Sequence, residues 1–322
     1  MTWPSADETL TLDRLDRKII HALQVDGRVP FRRVAAVLGV SEQTVARRYR
    51  RLRWQGALRV VGMVDPHRLG GTEWLVRIGC RPNAAHALAE AIARHPPATW
   101  VGLTSGGAEI VCTIRAPGLL ERLPRTAQVR ALNAFAVLHR FDTGRLYWSG
   151  YSDLLHEDQI AALSGGAEST PTDAAPRADD AELLTALAED GRAGYAHLAT
   201  LTGWPVARVT RRIAELRGSG ALYFEVEFPP RLVGFETTAY LWLTVAPGEF
   251  DTTGLALAAH PETAWVAAIT GPANLAAFVV CRTPQALYRY VNTRIGTLGA
   301  VRQVEVSLQH HQVKRAGAPI RT

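Results

Sequence analysis

Apolar positions along the chain follow two rhythms. Leu12, Leu15, Ile19, Ile20 and Leu23 recur every three or four residues, which predicts a helix with one buried stripe. Phe31, Val34, Ala35 and Leu38 predict a second, shorter helix, and Val45, Tyr49 and Leu52 a third. Asp26-Gly27-Arg28 predicts the stop of the first helix, with its glycine in the left-handed conformation that ends helices. Gly39-Val40 predicts a tight turn, and Ser41 the N-cap of the third helix. The exposed positions of that helix include Gln43, Thr44, Arg47, Arg48, Arg50 and Arg51. Two helices joined at a glycine turn, the second rich in arginine, form the pattern of a helix-turn-helix.

Further on, strands alternate with helices. Strands are predicted at Glu73–Arg81, Thr99–Thr104, Glu109–Arg115 and around Phe135–Arg140, with helices at Asn83–Arg94 and from about Gly118. The order β-α-β-β-α-β is the ferredoxin-like arrangement, with helices on one sheet face. Trp74, Trp100, Tyr240 and Trp265 leave the other face apolar, so packing of one sheet against a second is expected.

The whole pattern occurs twice. Residues 16–70 align without a gap to residues 180–234, with 18 identities in 55 positions. They include Asp26-Gly27-Arg28 with Asp190-Gly191-Arg192, Arg47-Arg48 with Arg211-Arg212, and Gly56-Ala57-Leu58 with Gly220-Ala221-Leu222. The match resumes at His95-Pro96 with His260-Pro261 and Trp100-Val101 with Trp265-Val266. A run of Gly, Ser, Thr, Pro and Ala separates the copies. The expected class is α+β, in two repeats of a winged-helix-like helix-turn-helix and a ferredoxin-like domain. The expected boundaries are 10–62 and 70–160 for the first repeat, 164–178 for the linker, and 179–228 and 234–315 for the second.

Charge sharpens this picture. The net charge of +6 is uneven: residues 1–165 hold 22 Lys and Arg against 15 Asp and Glu, and residues 166–322 hold 14 against 15. All but two of the 36 basic residues are arginine, whose planar fork suits phosphates and guanine edges. In the second copy Pro205 replaces the capping serine, and Ala214 and Glu215 replace two arginines, so weaker DNA binding and an asymmetric operator are expected. Cys80, Cys112 and Cys281 form no pair pattern, which argues against a disulfide framework or structural zinc; no metal or cofactor is expected. The N-terminal residues show no export signal, and no apolar run reaches a membrane-spanning length, so a cytoplasmic protein is expected.

With these residues in view, the chain resembles the Lrp/AsnC (feast/famine) transcriptional regulators. The resemblance rests on Leu15-Asp16-x-x-Ile19, Leu23-Gln24-x-Asp26-Gly27-Arg28, Val34-Ala35-x-x-Leu38-Gly39-Val40-Ser41-x-x-Thr44-Val45-x-Arg47-Arg48, and Leu52-x-x-x-Gly56-Ala57-Leu58. It implies double-stranded DNA as partner, read in the major groove by Ser41, Gln43, Thr44, Arg47, Arg48 and Arg51, then by Arg208, Arg211 and Arg212. It also implies ferredoxin-like RAM domains that pair into a homodimer or larger, with an amino acid or other small metabolite between them. The family's effector loop corresponds to Gly106 and Glu109 in one copy and Gly271 and Asn274 in the other; both lack its tyrosine and aspartate. A turn of a β-hairpin is an equal reading of these loops. The alternative is an enzyme of the siroheme decarboxylase type, which this family also resembles. His95, His260, His139, His310 and His311 are available for it, but no catalytic triad, metal motif or phosphate loop appears, and a non-enzyme is expected. A third reading is a ligand-binding protein whose helix-turn-helix only packs.

Overall fold

The computed structural model describes residues 11–65, 71–115, 117–141, 148, 150, 154–164 and 173–316. The chain begins with α1 (Arg14–Val25), α2 (Phe31–Leu38), α3 (Glu42–Trp54) and β1 (Arg59–Val64). Next come β2 (Trp74–Cys80), α4 (Ala85–Ala93), β3 (Ala98–Thr104), β4 (Glu109–Ile114), α5 (Pro117–Arg122) and β5 (Val129–Arg140). A helix α6 (Glu157–Ser164) precedes α7 (Ala181–Glu189), α8 (Tyr195–Thr202), α9 (Val206–Gly218) and β6 (Leu222–Glu227). The last elements are β7 (Thr237–Val245), α10 (Phe250–Ala258), β8 (Thr263–Ile269), β9 (Leu275–Cys281), α11 (Pro284–Tyr290) and β10 (Val301–Gln312). They fall into two compact units, one holding α1–α3, β1, α6–α9 and β6, the other holding β2–β5 with α4 and α5 and β7–β10 with α10 and α11.

The first unit is helical because its apolar stripes meet. Ile19, Ile20 and Leu23 of α1, Val34 of α2, and Val45 and Leu52 of α3 are fully buried. Each such side chain contributes about 1.5–3 kcal/mol relative to exposure. Leu183, Leu187, Leu198, Val209, Ile213 and Leu216 make the matching core of α7–α9. Asp13 and Asp16 form a capping box at the start of α1, and Ser41 Oγ accepts from Thr44 N–H at 3.1 Å to cap α3. Gly39 ends α2 at φ 67°, where only glycine is unstrained.

Several expectations change in this unit. Asp26, in extended conformation, caps α1, and Gly27 is not left-handed. Its missing side chain is required for another reason: a Cβ there would lie 2.6 Å from Phe224 Cβ. Among the described residues no winged hairpin follows α3. Instead β1 pairs antiparallel with β6, from Arg59↔Glu227 to Val64↔Leu222. Residues 157–164, at the expected boundary between the first sheet domain and the linker, form α6 against α1 and α2, with Leu163 fully buried. Gln159 Nε2 donates to the Val37 carbonyl at 3.0 Å. Much of the expected 164–178 linker lies outside the described residues.

The second unit is an eight-stranded closed barrel, in the order β10-β3-β4-β2-β5-β8-β9-β7. The orders β3-β4-β2-β5 and β8-β9-β7-β10 are each the ferredoxin-like sheet. The expected cover of the second face is achieved by closure as well as packing. Edges join at β5–β8 and β10–β3, so neither sheet keeps an unpaired rim. Alternate strand residues point outward to helices or inward. Val76, Ile78, Ile110 and Cys112 pack with Leu88 and Ile92 of α4, while Leu241, Leu275 and Ala277 pack with Leu257 of α10. Inward, Leu75, Val111, Tyr240, Trp242, Ala267 and Ile269 fill the barrel, the expected fate of a lumen this narrow.

Candidate nucleic-acid interface

Helix α3 presents Gln43, Arg47 and Arg50 at the four- and three-residue spacings that align side chains on one face. All three are exposed, and among the described residues no carboxylate holds Arg47 or Arg50. Trp54 continues the stripe and is 81% exposed. At the N-terminal end, Ser41 is exposed and shares a 2.9 Å hydroxyl contact with half-buried Thr44. The positive end of the helix dipole lies here, which favours an anion.

The other arginines of α3 have structural partners. Arg48 donates to Asp13 and, at 3.0 Å, to Asp16; Arg51 donates to Asp16 at 2.5 Å. Hydrogen bonding from Arg48 holds the Asp13 carboxyl below the usual carboxylate range. Arg53 pairs with Asp190 at 2.7 Å. Two of the expected groove contacts, Arg48 and Arg51, therefore hold α3 on the buried Asp16.

Helix α9 diverges further. Arg212 is only 6% exposed and grips Asp180 through two bonds of 2.8 and 2.7 Å, with a third contact to Glu215. Burial is the largest influence and works to raise the Asp180 carboxyl, but the Arg212 hydrogen bonds, the Arg177 backbone N–H and the charges of both arginines together outweigh it, and the net shift is downward. Arg212, expected among the groove contacts, is instead buried against Asp180. Arg208 lies 3.8 Å over the Trp204 ring and donates to Asp179 at 2.7 Å. Arg211 is exposed and faces Glu215 at 3.6 Å.

The Asp-Gly-Arg arginines, which the sequence pattern left without a role beyond the turn, cross within this unit. Arg28 donates to the carbonyls of Gly191 and Ala193 at 2.6 and 2.9 Å. Arg192 donates to those of Gly27 and Val29 at the same distances. Arg28 lies over Tyr195 and Arg192 over Phe31, at 4.7 and 4.4 Å from the ring centres. The signal was present in the sequence as two identical triplets, but their crossing was not.

The four effector-loop candidates sit on two hairpins of the barrel unit. Gly106 lies in the turn Ser105–Gly107 at φ 68°, with open space around it. Glu109 accepts from Arg77 Nε at 2.7 Å and from Thr104 Oγ1 at 2.9 Å. Gly271 has φ 112°, and a Cβ there would meet the Phe135 ring at 2.6 Å. Asn274 exchanges both side-chain bonds with the Val245 backbone, at 2.8 and 2.9 Å. Glu109 and Asn274 are fastened to neighbouring strands by these bonds.

The histidines are dispersed. His260 Nδ1 meets the Tyr290 hydroxyl at 3.0 Å, and burial lowers its pKa; His139 packs edge-on to Phe141. His311 lies 5.1 Å from His86, ring to ring, and His310 is exposed. Among the described residues no group of three His, Cys, Asp or Glu is arranged to hold a metal ion. Among them, no helix is long and apolar enough to cross a membrane.

Residues 12–53 match the AsnC-type helix-turn-helix domain, and residues 238–319 the Lrp/AsnC ligand binding domain. The HTH-type transcriptional regulator FL11 of Pyrococcus horikoshii is 31% identical over 106 residues, covering 32% of this chain and 70% of that protein. The FL11 of Pyrococcus furiosus is 32% identical over 106 residues, with the same coverage. The crystal structure of the siroheme decarboxylase NirDL is similar over 96% of this chain and 94% of that one, at a TM-score of 0.62 and 12% identity. That last likeness is one of fold. With its first helical segment and its last sheet domain both matched, and a relative aligned over most of its length, the chain belongs to the Lrp/AsnC family.

Proposed function

We propose that this chain is a DNA-binding transcriptional regulator built as two fused helix-turn-helix–RAM units, with α3 as its main reading helix. The observation that carries the reading is the exposed stripe Gln43–Arg47–Arg50 on a helix of AsnC type, capped by Ser41. Arginine contacts to phosphate give salt-dependent affinity, while Gln43 and Arg47 reach base edges. Helix α9 supports DNA mainly through Arg211, whose contact to Glu215 is exposed and long at 3.6 Å, whereas Arg208 and Arg212 are held by acidic partners at 2.7 Å. The operator is therefore asymmetric.

Symmetry within the helical unit supports the fused reading. The β1–β6 ladder pairs Val61 with Glu225, which occupy equivalent places 164 positions apart, and its register mirrors itself on either side. Arg53–Asp190 is likewise answered by Arg217–Asp26. Self-complementary contacts of this kind are the mark of a two-fold interface. Each chain thus acts as an internal dimer, and association of chains through the RAM domains gives higher assemblies.

The test is selection of bound fragments from genomic DNA by the purified chain, with and without an amino-acid pool, followed by titration of the recovered site. Replacing Arg47 and Arg50 by Ala should cost about 1–3 kcal/mol for each base-reading contact, with unchanged melting. Full affinity in that variant would sink the reading. A change of site or affinity with the pool would identify an effector. A second reading is an enzyme of the siroheme decarboxylase type, favoured by the fold likeness over 96% of the chain. A tetrapyrrole absorbance change on mixing, together with no selected DNA, would establish it instead.

A further inference from the structure

We infer that Arg28 and Arg192 are positioning residues that lock α3 and α9 at one separation, so that the chain accepts one half-site spacing. This rests on the regulator reading above. The two guanidinium groups form a reciprocal clamp: each reaches across to two carbonyls of the opposite Asp-Gly-Arg loop, at 2.6 and 2.9 Å in both directions. Each also lies over an aromatic ring of the opposite segment, Tyr195 for Arg28 and Phe31 for Arg192. Phe31 opens α2 and Tyr195 opens α8, so each arginine holds the helix that precedes a reading helix.

The clamp has two flanking supports. Arg53, at the end of α3, pairs with Asp190, and Arg217, at the end of α9, pairs with Asp26. Gly27 and Gly191 leave room for the close approach, since a Cβ on either would meet Phe224 at 2.6 or 3.0 Å. A fork that donates two bonds from one rigid plane fixes direction as well as distance, which a lysine ammonium does not. The arrangement therefore links the pose of α3 to that of α9 without touching DNA.

Two measurements on the full chain test this. Spin labels at Glu42→Cys and Val206→Cys, both exposed near the starts of α3 and α9, read the separation without DNA. Cys80, Cys112 and Cys281 are buried and leave these two sites as the accessible thiols. The otherwise native chain should give one narrow distance distribution. Adding Arg28→Ala and Arg192→Ala should broaden it at least about twofold, because the bidentate restraint is lost. Equal widths would overturn the clamp.

The second measurement uses the selected operator with base pairs inserted between its halves. Five inserted pairs, about half a helical turn, should weaken native binding at least about tenfold, and ten should restore part of it. The double variant should lose less than about threefold on the same insertion while binding an isolated half-site as the native chain does. A native-like spacing profile in the variant would overturn the inference. If the alanine pair fails to fold, Arg28→Lys with Arg192→Lys keeps the charges and removes the forks, and is read the same way. A native chain that binds no DNA at any spacing overturns the regulator reading and the spacing role with it, while the label widths still report on the clamp.

Discussion

Arginine has two separate uses in this protein, and neighbouring residues on one helix illustrate them. Arg47 is exposed, whereas Arg48, one position on, is turned to Asp13 and Asp16. Arg47→Ala should weaken DNA binding by about 1–3 kcal/mol and relax discrimination at the base it reads, measured by titration against sites substituted at single positions. Arg48→Ala should act chiefly on the melting temperature. Arg212 is the stronger case, because both it and Asp180 are buried. Arg212→Ala should destabilise the helical unit by about 3–5 kcal/mol, the cost of leaving a buried charge without its partner, read by denaturant unfolding. Since the Asp180 carboxyl is depressed in the folded chain, its contribution is present above the ordinary carboxylate value of about 3.9 and is lost as pH falls through the lower folded value. Melting followed from pH 7 to 2 should show this loss below about pH 4, and Asp180→Asn should lower stability at pH 7 while flattening the acid limb.

At the scale of elements, the hairpins of the barrel unit show how loops that resemble a ligand site can be occupied by fold. Asn274 mimics a strand residue, accepting from and donating to the backbone of Val245. Asn274→Ala removes both bonds and should cost about 1–3 kcal/mol, visible as a lower unfolding midpoint. No change in melting would return Asn274 to the list of effector residues. Helix periodicity and capping at this scale were legible in the chain: Ile19, Ile20 and Leu23 form the buried stripe, and Ser41 caps α3. The partner of β1 was not legible. A strand of six residues states its own pleat, but its ladder comes from residues more than 150 positions away.

The whole molecule combines two units that the chain enters more than once. In the helical unit the contacts between α1–α3 and α7–α9 are reciprocal, so α3 and α9 should engage half-sites about 34–36 Å apart, one turn of DNA. Because the two helices expose different residues, the halves should not be identical. Hydroxyl-radical footprinting of a single bound chain should show two unequal protected segments on one face of the duplex. Two identical inverted segments would contradict this.

The sequence by itself determined the helical stripes, the strand alternation, the internal likeness between the two halves and the family. All of these are local periodicities or residue identities. It also placed Gln43, Arg47 and Arg50 on an exposed helical face, since that follows from helical spacing alone. Tertiary structure decided which arginines are held by carboxylates. Arg48 and Arg212 have the same local setting as any helix arginine until Asp16 and Asp180 are folded against them, 32 positions away. It also decided that Gly27 serves close approach instead of a left-handed turn, and that the paired Asp-Gly-Arg arginines cross. Those are properties of contacts between distant segments, and a one-dimensional pattern does not contain the distances that make them.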